Sequence, residues 1–150
     1  MSDVADYTIQ PQPEPKNTSG MHDLVIADIT QAWASTPSLI GSDEEKGIVG
    51  VIEELEARKK FGFDKYGTLL QANNGRNAVR DALDEALDLT VYIKQIITEA
   101  KLSLKTMSAV ERMYRDTVEM SIGLKFFLLE QEANNDNGSS SEADPSDLAG

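Results

Sequence analysis

At 150 residues and a formal charge of −12, the chain has room for one domain with a modest core and lacks the cationic face that nucleic-acid backbone binding needs. It has no cysteine and one histidine, His22. That composition excludes disulfides, thiolate zinc sites and a Cys nucleophile, and it argues against multi-His metal sites and Ser-His catalysis. No apolar run approaches a membrane span, and the acidic, Pro-rich start does not read as a signal peptide, so the expected setting is a soluble, cytoplasmic one without nucleic-acid or membrane partners.

Residues 1–20 carry Pro11, Pro13 and Pro15 among polar residues and read as a disordered or loosely docked arm. A first helix is expected from about His22 to Ser35, with Leu24, Val25, Ile29 and Trp33 as its apolar stripe. Pro37 and the Ser38–Gly41 stretch close it. The second begins at Ser42, where Ser42 and Glu45 form a capping box. Ile48, Val51, Ile52 and Leu55 then recur at helical spacing, and Gly62 is the predicted stop, followed by a polar loop from Phe63 to Asn74. Gly47 and Gly50 weaken this helix by about 1 kcal/mol each relative to Ala, so packing must hold it.

The third pattern, about Gly75 to Lys101, is the longest: Ala78, Ala82, Ala86, Leu89, Ile93 and Ile96 share one predicted face. Its small residues would admit a close neighbour. A fourth helix is expected from Met107 to Gln131, capped by Ser108 and Glu111. Its end, Leu124 and Phe126 to Leu129, is apolar almost all round, which suits a subunit interface as well as a core. Residues 133–150 are Asn, Asp, Ser and Glu with almost no apolar content and read as a disordered acidic tail. The expected architecture is an all-α bundle of about four helices over residues 21–132, assembled as a homo-oligomer.

Two acidic motifs lie on the middle helices. Glu53 and Glu56 are three apart, as are Glu85 and Asp88, and that spacing puts each pair on one helical face. On the third helix Asp81, Glu85, Asp88 and Tyr92 form a stripe at the margin of the small-residue face, so Glu85 is expected to be partly buried. Such pairs are common on solvated helices. Stacked like charges repel, however, and charge beside an apolar face is costly without a partner. Four carboxylates from two helices make an all-oxygen cage of the kind Mg²⁺ or Mn²⁺ accepts, keeping several waters.

Cations follow: Arg58, Lys59 and Lys60 close the second helix, and Lys65, Arg76 and Arg80 come after. Lys59 and Lys60 suit a helix C-terminus as dipole partners. Arg76 and Arg80 fall at the start of the third helix, where an Arg pair beside free backbone N–H groups suits a phosphate. Tyr66-Gly67 and Asn73-Asn74-Gly75 read first as turns, with Tyr66 and Asn74 also placed to hold a base.

These residues resemble the MazG-like all-α nucleoside triphosphate pyrophosphohydrolases, a superfamily that includes dimeric dUTPases. The resemblance rests on Glu53-x-x-Glu56 and Glu85-x-x-Asp88, with 28 residues between them. It rests also on the loop from Arg58 to Gln71 and on Asn74-Gly75-Arg76, and it covers roughly residues 43–100. The chain departs from many relatives at Ile52, where they carry an acid. The resemblance implies a helical bundle assembled as a homodimer or homotetramer. It also implies Mg²⁺-dependent hydrolysis of a nucleoside triphosphate, dUTP or another deoxynucleotide among the candidates, to the monophosphate and pyrophosphate. Glu53 and Glu56 would be catalytic; Glu53, Glu56, Glu85 and Asp88 would hold metal. Lys59, Lys60, Lys65, Tyr66, Asn74, Arg76 and Arg80 would bind substrate. The competing class is a nucleotide-binding module that uses the same cage and loop without cleavage.

Overall fold

The computed structural model describes residues 10–34 and 36–139. The expectations for residues 1–9 and 140–150 lie outside the described residues, as does Ser35. The described chain is helical throughout its regular structure: α1 (Met21–Ala34), a 3₁₀ turn (Pro37–Leu39), α2 (Asp43–Tyr66), α3 (Ala78–Glu99) and α4 (Leu104–Ser139). It has no strand among the described residues, only an isolated bridge between Gly20 and Gln71. The chain divides into two compact units, Met1–Arg76 and Asn77–Gly150.

In the first unit α1 packs against α2. Pro37 cannot continue a helix as an interior residue and opens the 3₁₀ turn that reverses the chain. Ser42 caps α2 as its spacing predicts, accepting from Glu45 N at 3.1 Å. The Glu45 carboxylate reaches back to Gly41 N rather than to Ser42 N, so the box closes one residue early. Ile48, Ile52, Leu55 and Lys59 lie on the half-buried side of α2. Its predicted end is corrected: Gly62 is helical, and α2 continues to Tyr66, where Gly67 takes the left-handed cap at φ 70°. Gly67 N donates to Phe63 O at 2.8 Å. Only a residue without Cβ adopts that conformation cheaply.

Residues 10–20 are not loose. They run alongside the loop that follows α2 and are bonded to it. Glu14 N donates to Asn74 O at 2.8 Å and Met21 N to Leu70 O at 2.7 Å. The buried Gln71 amide accepts from Lys16 N at 2.8 Å and donates to Lys16 O and Thr18 O, both at 2.5 Å.

In the second unit α3 and α4 form an antiparallel hairpin. Asn77 Nδ2 donates to Gln131 Oε1 at 3.1 Å, and Lys94 lies over the Tyr114 ring at 5.2 Å, so position along one helix falls as the other rises. The core residues are Leu83, Ala86 and Ile93 on α3 and Leu128 on α4; the larger three each contribute about 1.5–3 kcal/mol by burial. Thr117 and Ser121 are buried beside them, each hydroxyl donating to a carbonyl of its own helix. Small, internally satisfied residues let the two backbones approach.

This corrects the predicted face of α3. Ala82 is exposed and Leu89 and Ile96 are each 45% exposed, while the buried stripe is centred near Ala86, with Thr90 half-buried beside it. The helix starts at Ala78, not Gly75, with Asn77 as N-cap. In α4 the predicted cap pair Ser108 and Glu111 lies inside the helix. Ser103 performs that role instead, its Oγ accepting from Thr106 N at 3.2 Å. The helix also continues through Ser139, into the stretch read as the acidic tail.

Candidate functional site

On α2, Glu53 is exposed and has no hydrogen-bond or ion-pair partner among the described residues. Glu56, one turn on, lies 3.9 Å from Lys59 Nζ. Ile52, where an acid was expected by resemblance, is half-buried on the α1-facing side. A carboxylate there would be partly desolvated, whereas Glu53 is in solvent.

The cations expected to meet phosphate all have intramolecular partners. Lys59 is the best held: its ammonium donates to Asp23 Oδ1 at 2.5 Å. That hydrogen bond, aided by the charges of Asp23 and Glu56, holds the lysine above its ordinary value despite some desolvation. Lys60 pairs with Asp64 at 2.5 Å, one turn on. Lys65 Nζ lies 4.9 Å from the centre of the Tyr66 ring, which places Tyr66 as a cation–π partner. Asn74 is 5% exposed. Its side-chain oxygen accepts from Arg76 N at 3.1 Å, inside a tight turn with Asn73 at φ 56° and Gly75 at φ 83°. The turn reading of Asn73-Asn74-Gly75 is therefore correct.

Arg76 Nη1 donates to Pro11 O at 2.8 Å. The Glu14 side chain lies over Gly75, its carboxyl carbon 3.5 Å from where a Cβ would be. Lys16 holds Glu14 from the other side at 2.9 Å, and that hydrogen bond keeps the carboxyl below its ordinary value. Glu14 and Lys16 were not singled out from sequence; Pro11 was named only as part of the arm and Gln71 only as the end of the loop that carries the resemblance. The available signal was the Pro-rich segment itself: an extended chain without internal hydrogen bonds leaves its backbone groups open to another segment.

The second unit carries the other acid pair. Glu85 and Asp88 are both exposed, and neither has a hydrogen-bond or ion-pair partner among the described residues. The expected partial burial of Glu85 is corrected, because the buried stripe of α3 runs along a different side. Arg80 pairs with Asp84 at 2.9 Å. The helix start is not open to an anion as expected either: Asn77 Oδ1 accepts from Val79 N at 3.0 Å and Arg80 N at 3.1 Å.

Among the described residues no three His, Cys, Asp or Glu side chains are gathered as a metal-binding group. Each pair taken singly does fit a hard cation: two carboxylates one turn apart, in solvent, with at most one distant ammonium nearby. Mg²⁺ is commonly held by one or two carboxylates, with water and substrate phosphates completing the shell. No helix among the described residues is long and apolar enough to cross a membrane. No protein-family model, curated protein or solved structure matches the chain.

Proposed function

We propose that the protein is a nucleoside triphosphate pyrophosphohydrolase, converting a (d)NTP to the monophosphate and pyrophosphate, and that it works as a homodimer or homotetramer. The observation that carries this reading is the state of the acids. Among the described residues Glu53, Glu85 and Asp88 have no hydrogen-bond or ion-pair partner, while Lys59, Lys60 and Arg80 are each committed to another carboxylate. Aligned like charges without a cation are mildly destabilising, and a bound divalent ion would relieve them.

Glu53, Glu56, Glu85 and Asp88 are the proposed ligands. When bound, Mg²⁺ supplies neutralisation of phosphate charge and acidification of a coordinated water. Glu53, unpaired and exposed, is suited to orient that water or take its proton, with Glu56 as the neighbouring acid. Arg76 and Arg80 would meet phosphate oxygens bidentately, which Lys cannot do. Lys59, Lys60 and Lys65 would add positive charge, and Tyr66 and Asn74 would border the base. A committed cation can still serve where its pair is exposed, as Lys60–Asp64 is, since such pairs contribute about 0–1 kcal/mol and exchange readily for a phosphate partner.

Incubation with a panel of NTPs and dNTPs plus Mg²⁺, dUTP first, tests the reading through its products. Monophosphate and pyrophosphate are expected. Release of inorganic phosphate overturns the reaction class, and tight binding without turnover replaces the enzyme with a nucleotide-binding module.

A further inference from the structure

The segment 10–18 is tied down by several bonds to the stretch Gln71–Arg76, which holds Arg76, assigned to phosphate, and Asn74, assigned to the base. Gln71 holds Lys16 by both its backbone N–H and its carbonyl. Glu14 N closes on Asn74 O. The Arg76 guanidinium donates to Pro11 O, and the Glu14 carboxylate covers Gly75. A main-chain carbonyl therefore uses a donor of Arg76 that a phosphate would use. An acidic side chain also sits on the one residue of the turn whose missing Cβ leaves its backbone approachable.

We propose that residues 10–18 are an autoinhibitory strap, which competes with a polyphosphate group for Arg76 and the Asn74–Arg76 turn and must lift for the anion to bind. The proposal rests on the assignment of Arg76 to phosphate binding made above. Its physical basis is a difference between partners. A phosphate group is charged and can pair with the guanidinium bidentately, whereas the Pro11 carbonyl is neutral. Glu14 repels the incoming anion until the strap moves. Gln71 sets how firmly the strap is held, since its amide alone makes three bonds to the segment.

Full-length wild type, Glu14→Ala and Gln71→Ala proteins, titrated with inorganic tripolyphosphate by calorimetry, test this. Glu14 is exposed, so its removal does not threaten the fold even if the buried Gln71 proves sensitive. Both substitutions are expected to tighten binding by about 2- to 5-fold, the range of one exposed charge interaction. The gain should vanish when Arg76→Ala is added. Hydrogen exchange at the Glu14 and Lys16 amides of the wild type should accelerate with saturating tripolyphosphate. Equal affinity in all three proteins, a gain that persists without Arg76, unchanged amide protection, or no binding by any variant each overturns the strap. The assay does not involve turnover. Tightened anion binding without nucleotide hydrolysis keeps the strap and removes the enzyme, while hydrolysis with unchanged tripolyphosphate affinity does the reverse.

Discussion

Lys59 shows how far a residue's role can depend on a distant partner. Its spacing near the end of α2 reads as a dipole partner or a phosphate ligand, yet the strongest contact is Asp23, 36 positions earlier. No local pattern could reveal that pair. Because Asp23 raises the Lys59 pKa above the ordinary 10.5, the contact stabilises the fold fully below that value, and the contribution is lost as pH rises through the raised one. Melting temperatures of wild type and Lys59→Met should therefore differ at pH 9 and converge toward pH 12; a constant difference would show that the ion pair is not its source. The shared face of each acid pair, by contrast, was legible, because i,i+3 spacing on a helix fixes it whatever the fold does. Glu85→Gln should abolish Mg²⁺-dependent turnover while leaving the melting temperature equal or raised, since one repulsive charge is gone. Wild-type rates in that variant would remove Glu85 from the metal ligands. Arg80→Lys should also fail to substitute: a parallel fall in kcat and kcat/KM would assign Arg80 to the transition state, and a rise in KM alone would assign it to binding.

At the scale of the helix, existence and type were readable and the ends were not. Two glycines, Gly62 and Gly67, both qualify as stops, and the residues between them tolerate helix; only the left-handed backbone at Gly67 distinguishes them. In α3, apolar residues occupy adjoining stripes, Ala78, Ala82 and Leu89 on one and Leu83, Ala86 and Ile93 on the other. Periodicity alone therefore cannot choose which one α4 covers. In α4 the Ser-x-x-Glu rule pointed to Ser108, but Ser103 can also cap through Oγ without a reciprocating Glu. That difference is measurable. Ser103→Ala should cost about 1 kcal/mol in urea denaturation, the usual value of an N-cap hydroxyl, and Ser108→Ala, on the exposed side of α4, should stay within about 0.5 kcal/mol of wild type. Equal losses would place the helix start later than Leu104.

For the whole molecule, the decisive quantity is how little apolar surface one chain hides. Among the described residues only Leu83, Ala86, Ile93 and Leu128 are buried apolar side chains, and α2 contributes none. Along one side of the α3–α4 hairpin, Leu83, Leu87, Ile122, Phe126 and Leu129 line an open apolar groove with Lys125 at its edge. Phe126 is 64% and Phe127 60% exposed. Exposed apolar side chains grouped in this way are a candidate surface for protein–protein contact. A helical hairpin can close it isologously with a second copy, each groove meeting the same groove. The apolar end of the fourth helix, visible in the sequence, thus divides: Leu128 enters the core of the hairpin, while Phe126, Phe127 and Leu129 stay exposed and are the surface on which the proposed assembly would rest. Sedimentation at micromolar concentration should show a dimer or tetramer, and Phe126→Glu should shift it toward monomer without loss of helical content, because that side chain contributes little to the fold of one chain. A wild type that stays monomeric through the micromolar range would remove the assembly. It would leave the groove as exposed surface with no partner among copies of this chain.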